Sequence, residues 1–164
     1  MGRERRVRDI MVPIRDYPTV RAEASLYEAA AMINVYLKRD EGVWHGFRSV
    51  MVVDDGGGVI GVLTLRTVLR AVLYAAGKGD PAVEGSSWGG FMLRDVRRQG
   101  GPRVREVMRP ATLIAVSPDD SVWDAALKMA RNRINSLPVV ERRRPVGIVR
   151  SIDVFWWISE LLEE

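Results

Sequence analysis

The chain carries the same four blocks twice, in the same order. Val7-Arg8-Asp9-Ile10-Met11 returns as Val104-Arg105-Glu106-Val107-Met108, and Ser25-Leu26-Tyr27-Glu28-Ala29-Ala30 as Ser121-Val122-Trp123-Asp124-Ala125-Ala126. Ser49-Val50-Met51-Val52-Val53-Asp54 returns as Ser136-Leu137-Pro138-Val139-Val140-Glu141, and Gly61-Val62-Leu63 as Gly147-Ile148-Val149. Four blocks recurring in register make chance a poor explanation. A two-fold internal repeat points to two similar halves that pack about a pseudo-dyad and leave symmetric clefts between them.

Each repeat alone, at about 60 residues, would bury only roughly 60% of its unfolded surface and be marginal. The full chain, 164 residues and 47% hydrophobic, is large enough for one shared core or two small lobes. Cysteine is absent and His45 is the single histidine, which excludes disulfides and thiolate metal sites and leaves one imidazole. No run of 18 apolar residues occurs, and Met1-Gly2-Arg3-Glu4-Arg5-Arg6 has no apolar signal core, so a cytoplasmic protein with no membrane role is expected. The net charge is +4, and 22 of 25 basic residues are arginine, a bias suited to a thermophile or a GC-rich genome. That charge favours anionic partners without choosing among them.

In the second repeat, Thr112 to Val116 reads as a short β-run. Ser121 with Asp124 forms a capping-box signature, and Val122, Ala125, Ala126 and Met129 recur at helical spacing. Leu137 to Val140 and Val146 to Val149 read as strands around a Glu141–Pro145 turn, and Ile152 to Leu162 as a helix. The first repeat has the same β-α-β-β-α order: Thr19-Val20, helix Leu26 to Leu37, strands Val50 to Val53 and Val59 to Leu65, helix Val68 to Ala75. Two departures stand out. Asp40 to Arg48 lengthens the helix-to-strand connection, and Gly77 to Arg103 holds 7 of the 15 glycines with Pro81 and Pro102. Within that linker Phe91, Met92 and Val96 suit one short amphipathic turn.

Asn135-Ser136-Leu137-Pro138-Val139-Val140, followed by a turn, Val146-Gly147-Ile148-Val149 and Asp153, resembles a cystathionine β-synthase (CBS) domain. Val104-Arg105-Glu106-Val107-Met108 and Val116-Ser117-Pro118-Asp119-Asp120-Ser121-Val122 fit the same pattern. The resemblance covers both repeats. It implies an α/β fold in which two β-α-β-β-α CBS repeats pack about a pseudo-two-fold axis. Repeat 1 would occupy residues 1–76, with its insertion at 40–48, a basic linker 77–103, and repeat 2 residues 104–164. It further implies a regulatory module, not an enzyme. The regulatory ligand would be an adenosine-containing molecule (AMP, ADP, ATP or S-adenosylmethionine) in a cleft between the repeats, with no other cofactor. Such pairs often form homodimers. The repeats and linker use the whole sequence, so the regulated protein is expected to be a separate partner.

Three stretches would carry the ligand by that resemblance. The first is Tyr17-Pro18-Thr19 and its counterpart Leu113-Ile114-Ala115, whose backbone groups would meet adenine edges. The second is Arg48-Ser49-Val50-Met51 and Asn135-Ser136-Leu137-Pro138, able to cover a base face. The third is Gly-apolar-apolar-Thr/Ser-x-x-Asp at the start of the last helix, where a hydroxyl and free N–H groups suit phosphate and the carboxylate suits ribose hydroxyls. Each repeat satisfies this last pattern by half. Gly61-Val62-Leu63-Thr64-Leu65-Arg66-Thr67 keeps the hydroxyl at Thr64 but has Thr67 in place of Asp. Gly147-Ile148-Val149-Arg150-Ser151-Ile152-Asp153 keeps Asp153 but has Arg150 in place of the hydroxyl. One competent site around Asp153 and one degenerate site around Thr64 and Thr67 are therefore expected, with Arg150 a candidate phosphate donor.

Plainer readings stand beside these. Asp153 also suits a first-turn acid complementing the helix dipole, Arg150 a solvated surface, and Thr64 a strand-end hydroxyl. His45 beside Trp44 suits a loop or interface. Phe155-Trp156-Trp157-Ile158 is apolar around much of a helix, as expected of core packing plus a homodimer interface. Arg142-Arg143-Arg144 in a turn, and Arg94, Arg97, Arg98, Arg103 and Arg105 near the linker, leave nucleic acid as an alternative partner, with the fold as its scaffold. No recognised nucleic-acid motif or interleaved aromatics accompany them.

Overall fold

The computed structural model describes residues 5–75, 101–111 and 114–163. The chain separates into two compact units, each assembled from distant stretches: Met1–Tyr17, Asp54–Ile60 and Pro110–Glu164 form one, Pro18–Val53 and Gly61–Arg109 the other.

The first unit is built on a three-stranded antiparallel sheet: β1 (Val12–Pro13), β9 (Arg144–Arg150) and β8 (Ser136–Glu141), in that order. The β8–β9 turn is tighter than the expected Glu141–Pro145 span. Only Arg142 and Arg143 bridge the strands, both left-handed at φ 48° and 66°. Helix Val122–Asn132 begins where the Ser121 hydroxyl accepts the Asp124 amide at 3.0 Å. Its buried stripe of Val122, Ala125 and Met129 meets Leu137, Val139 and Val149 from the sheet, and Val154 and Trp157 from the final helix, Ser151–Glu163. Trp123 and Trp157 meet edge-on at 5.2 Å. Of the expected Thr112–Val116 strand, Val116 makes one parallel bridge to Val139, and Thr112 and Leu113 lie outside the described residues.

The other unit centres on a four-stranded sheet ordered β2 (Thr19–Arg21), β5 (Ser49–Val53), β6 (Val59–Thr64) and β7 (Arg109–Pro110). Helix Leu26–Tyr36 starts from a complete capping box. The Ser25 hydroxyl accepts the Glu28 amide at 3.1 Å, and the Glu28 carboxylate accepts the Ser25 amide at 2.7 Å. Helix Leu65–Ala75 follows β6 directly, three residues earlier than expected. The lengthened connection is a hairpin, not a loop: β3 (Leu37–Asp40) pairs with β4 (Val43–Gly46) around Glu41 and Gly42, both at positive φ. His45 sits opposite Lys38 in that exposed hairpin.

The repeated opening block explains why the units are discontinuous. Val7 donates its amide to Asp120 and Arg8 to Pro118, and the Val7 side chain is fully buried in the core of the unit holding the second repeat. Val104 and Arg105 mirror this on the first repeat, donating to Ala24 and Ala22. The charges mirror too: Arg8 pairs with Asp119, and Arg105 with Glu23. Each opening block thus completes the core that the other repeat begins.

The repeated glycines follow from the repeated methionines. A Cβ on Gly147 would stand 2.5 Å from the Val12 carbonyl oxygen and 2.9 Å from the Met11 sulfur. A Cβ on Gly61 would stand 2.7 Å from the Arg109 carbonyl oxygen and 2.6 Å from the Met108 sulfur. Only glycine lets the incoming segment lie this close to the strand.

Candidate functional site

In the first unit the candidate site forms where β9 ends and the final helix begins. The Asn135 carbonyl accepts the Ser151 amide at 2.8 Å, tying the turn into β8 to the helix start. Ser136 stands directly opposite Arg150 in the ladder, so both side chains emerge on one face of the sheet. Asp153 lies one turn on and folds back. Its Oδ2 accepts the Arg150 backbone amide at 3.0 Å and Nε at 2.8 Å, and its Oδ1 accepts Nη2 at 2.7 Å. This is a two-pronged guanidinium–carboxylate fork closed by a backbone donor.

The fork is partly withdrawn from water, with 31% of the Arg150 side chain and 16% of the Asp153 side chain exposed. Hydrogen bonding to Asp153, ahead of the opposing effect of burial, pushes Arg150 further into its charged form, and the nearby Tyr17 phenol adds to this. Tyr17 itself is buried at 4% exposure. The expected grouping of Tyr17 with Pro18 and Thr19 is therefore divided: Tyr17 belongs to the unit holding Arg150, Pro18 and Thr19 to the other. The exchanged opening block carries Tyr17 there, which reading each repeat as one contiguous stretch obscures.

The remaining second-repeat candidates surround the fork unevenly. Leu137 and Pro138 are buried, Leu137 fully in the core cluster, while the Pro138 carbonyl accepts the Val116 amide. Ile114 is also a core residue, and the Ala115 carbonyl accepts the Lys128 ammonium at 2.8 Å. Asn135 is exposed and Ser136 half-buried, so these two, with Arg150 and Asp153, present polar groups outward. Leu113 lies outside the described residues.

The other unit repeats the frame with different chemistry. The Arg48 carbonyl accepts the Leu65 amide at 3.0 Å, the counterpart of Asn135 and Ser151. The Thr64 hydroxyl accepts the Thr67 amide at 3.2 Å and meets the Thr67 hydroxyl at 3.0 Å. Thr19 lies opposite Met51 in the parallel ladder, and the Pro18 carbonyl accepts the Met51 amide. Pro18, Ser49 and Met51 are buried. This helix start holds two neutral hydroxyls where the first unit holds a charged pair.

Arg103 and Arg105 of the expected basic cluster are engaged internally. The Arg103 guanidinium donates to the Glu23 carbonyl at 3.0 Å, and Arg105 pairs with the Glu23 carboxylate. Arg94, Arg97, Arg98 and the expected Phe91–Val96 turn lie outside the described residues. Arg142, Arg143 and Arg144 are exposed. In the final helix Trp157 is buried and Ile158 packs against the core, whereas Phe155 and Trp156 are 67% and 68% exposed. Among the described residues no helix is long and apolar enough to cross a membrane.

A repeated αββα frame, with a Gly-apolar-apolar triplet in the strand that leads into each last helix, defines a tandem pair of small α/β modules. The CBS domain profile matches residues 7–74 and 104–160, so the chain belongs to the CBS-domain family. It is 34% identical over 112 residues to the uncharacterised protein MJ1404 of Methanocaldococcus jannaschii, matching over 68% of this chain and 24% of that protein. The chain therefore spans about a quarter of that relative's length. Two crystal structures share the fold. The CBS-pair protein CBSX2 in complex with AMP superposes with a TM-score of 0.66 at 19% identity, over 95% of this chain and 97% of that one. The CBS domain pair of protein MJ0100, in complex with 5′-methylthioadenosine and S-adenosyl-L-methionine, gives 0.67 at 22% identity, over 96% and 98%.

Proposed function

We propose that this chain is a regulatory module that senses an adenine nucleotide and acts on a separate protein. The observation that carries the reading is the partly buried Asp153 carboxylate at the start of the final helix, flanked by Arg150 and Ser136. The adenosine ligands of the structurally similar CBS pairs support it. Asp153 accepts ribose hydroxyls, Arg150 contacts phosphate, and the backbone around Ile114, Ala115 and Asn135 meets the base. The site at Thr64 and Thr67 lacks a carboxylate and is the weaker of the two. Binding acts by population shift: the ligand favours one arrangement of the chain, and that arrangement presents or hides the partner surface. Phe155 and Trp156, solvent-exposed on the final helix, serve as a homodimer contact in the cytoplasm. No catalytic role is assigned.

Calorimetric titration with AMP, ATP and S-adenosylmethionine tests the reading. Asp153→Ala should weaken the tightest of these by about tenfold or more, as expected for hydrogen bonds to a charged group. Unchanged affinity would overturn the assignment of Asp153. Light scattering tests the dimer, and a clean monomer would refute it.

A further inference from the structure

The two repeats build the same turn in opposite ways. In the first, Asp54-Asp55-Gly56-Gly57-Gly58 joins β5 to β6. The Asp54 carboxylate accepts the Gly56 amide at 2.9 Å and the Gly58 amide at 2.8 Å, and Gly57 takes the left-handed conformation at φ 79°. In the second, Arg142 and Arg143 alone join β8 to β9, and both are left-handed. Residues with a side chain rarely adopt that conformation, because the Cβ crowds the following carbonyl oxygen. Asparagine and glycine are what such a two-residue turn favours. The Glu41-Gly42 turn of the β3–β4 hairpin has glycine at its second position, whereas Arg142-Arg143 has it at neither. The chain thus holds arginine where the backbone geometry disfavours it, at a cost in stability. Strain kept in this way points to a use for the side chains.

The fold itself makes no use of them. Arg5, Arg8, Arg15, Arg105 and Arg150 each face a carboxylate. Arg142, Arg143 and Arg144 are exposed, and among the described residues their guanidinium groups take no hydrogen bond or ion pair. Glu141 stands opposite Arg144 in the ladder without forming one. We propose that this turn is a contact for the phosphate backbone of a nucleic-acid duplex. Three consecutive residues span at most about 7 Å of backbone. A duplex carries one negative charge per about 1.7 Å of its axis, so several phosphates lie within reach of the three side chains at once. A planar guanidinium takes a phosphate through two parallel N–H bonds. The turn has no aromatic side chain on which an unpaired base could stack, which favours a duplex over a single strand. Contacts to phosphate alone carry no sequence preference. Arg144 begins β9 and Arg150 ends it, so the turn lies at the far end of the strand from Asp153 and is a surface separate from the nucleotide site.

The test is fluorescence anisotropy of the full chain with a labelled duplex of arbitrary sequence, between about 50 and about 200 mM salt. It is repeated for Arg142→Asn with Arg143→Gly, residues that suit the turn, so a loss of binding does not come from unfolding; a thermal melt of both chains checks this. Each phosphate contact contributes about 0.9 to the slope of log affinity against log salt, so the parent slope should be steeper than the variant's by about 1.8. Over that range of salt the parent should lose about tenfold more affinity than the variant. Equal slopes overturn the contact at the turn, and so does a parent chain that fails to bind the duplex at the lower salt. A polyglutamate peptide of matched charge is the competitor. If it displaces the duplex from the parent at equal concentration, the surface fits an acidic protein and the duplex assignment is refuted.

Discussion

Replacing Gly147 by alanine should destabilise the unit that holds the candidate site, and the size of the effect follows from one close approach. The new Cβ would stand 2.5 Å from the Val12 carbonyl oxygen, whereas Cβ contacts below 3.0 Å essentially never occur. The β1 strand must therefore retreat by about half an ångström. That strand has only two paired residues, Val12 against Ile148 and Pro13 against Gly147, so there is no longer ladder to absorb the shift. Overpacking of this kind costs about 1–3 kcal/mol. Reduced freedom of the unfolded chain returns about 0.4–1 kcal/mol. A net loss of about 1–2 kcal/mol should lower Tm by about 2–8 °C for a chain of this size. Thermal melts followed by tryptophan fluorescence suit the measurement, because the Trp123–Trp157 contact lies in the same unit. Gly56→Ala is the control: its nearest neighbour is the Asp54 side chain at 3.4 Å, an ordinary contact, so it should not destabilise and should gain up to about 1 kcal/mol. If Gly147→Ala melts within a degree of the parent chain, the argument that the repeated glycine exists to seat the incoming segment is wrong.

Three further expectations follow from particular geometries. Arg142 and Arg143 both occupy the left-handed region, so Arg142→Asn with Arg143→Gly should stabilise the chain by about 1 kcal/mol or more in urea denaturation; unchanged stability would refute strain in that turn. Trp157→Ala removes a side chain that is 95% buried and should cost about 3–5 kcal/mol, read as a fall in the urea midpoint; a loss under about 1 kcal/mol would show that the helix is not anchored there. The Ser25 backbone amide and hydroxyl, with a smaller contribution from Arg103, hold the Glu28 carboxyl below its ordinary range. Its contribution to stability is therefore complete above the ordinary glutamate range, about 4.3, and is lost as the pH falls through the lower folded value. Carbon-detected NMR titration should find that lowered midpoint, and Glu28→Gln should remove this part of the acid dependence; an ordinary Glu28 midpoint would refute the cap.

The blocks that repeat in sequence are the ones whose structure was legible. Ser25 and Ser121 marked true helix starts, and the Val-rich runs marked the strands of each hairpin, because these features rest on local chemistry. The hairpin of β3 and β4 was not legible, since Leu37 to Gly46 has few apolar residues, no clean alternation and almost no burial to impose one. The exchange of the opening blocks was hidden for a different reason. Val7 and Val104 are equally apolar and equally placed within their repeats, and nothing local says which core each fills. A signal did exist in the coincidence of two repeated features, the methionine ending each opening block and the glycine inside the second strand of each hairpin, since a bulky group and a vacancy often meet. The fork is half visible in the sequence: Arg150 and Asp153 stand at i and i+3, the spacing of neighbours on a helix, but that spacing alone does not choose between a mutual pair, ligand contacts and a solvated surface.

The two helix starts together explain how duplicated sites can diverge without loss of the fold. A capping box needs a hydroxyl before the helix to accept the amide three residues on, and an acid three residues on to accept the amide before the helix. Thr64 supplies the first bond and Asp153 the second, so each repeat retains one half of the box. Either half satisfies a backbone donor that would otherwise lack a helical partner, which suffices to begin a helix. At Thr64 and Thr67 the cap is made by hydroxyls alone, with no acid at the third helical position. At Asp153 the acid is present and is paired with Arg150, which stands where the other repeat has the Thr64 hydroxyl. The folding function of the motif is therefore kept twice, while the two helix starts present different chemistry, neutral hydroxyls at one and a charged pair at the other.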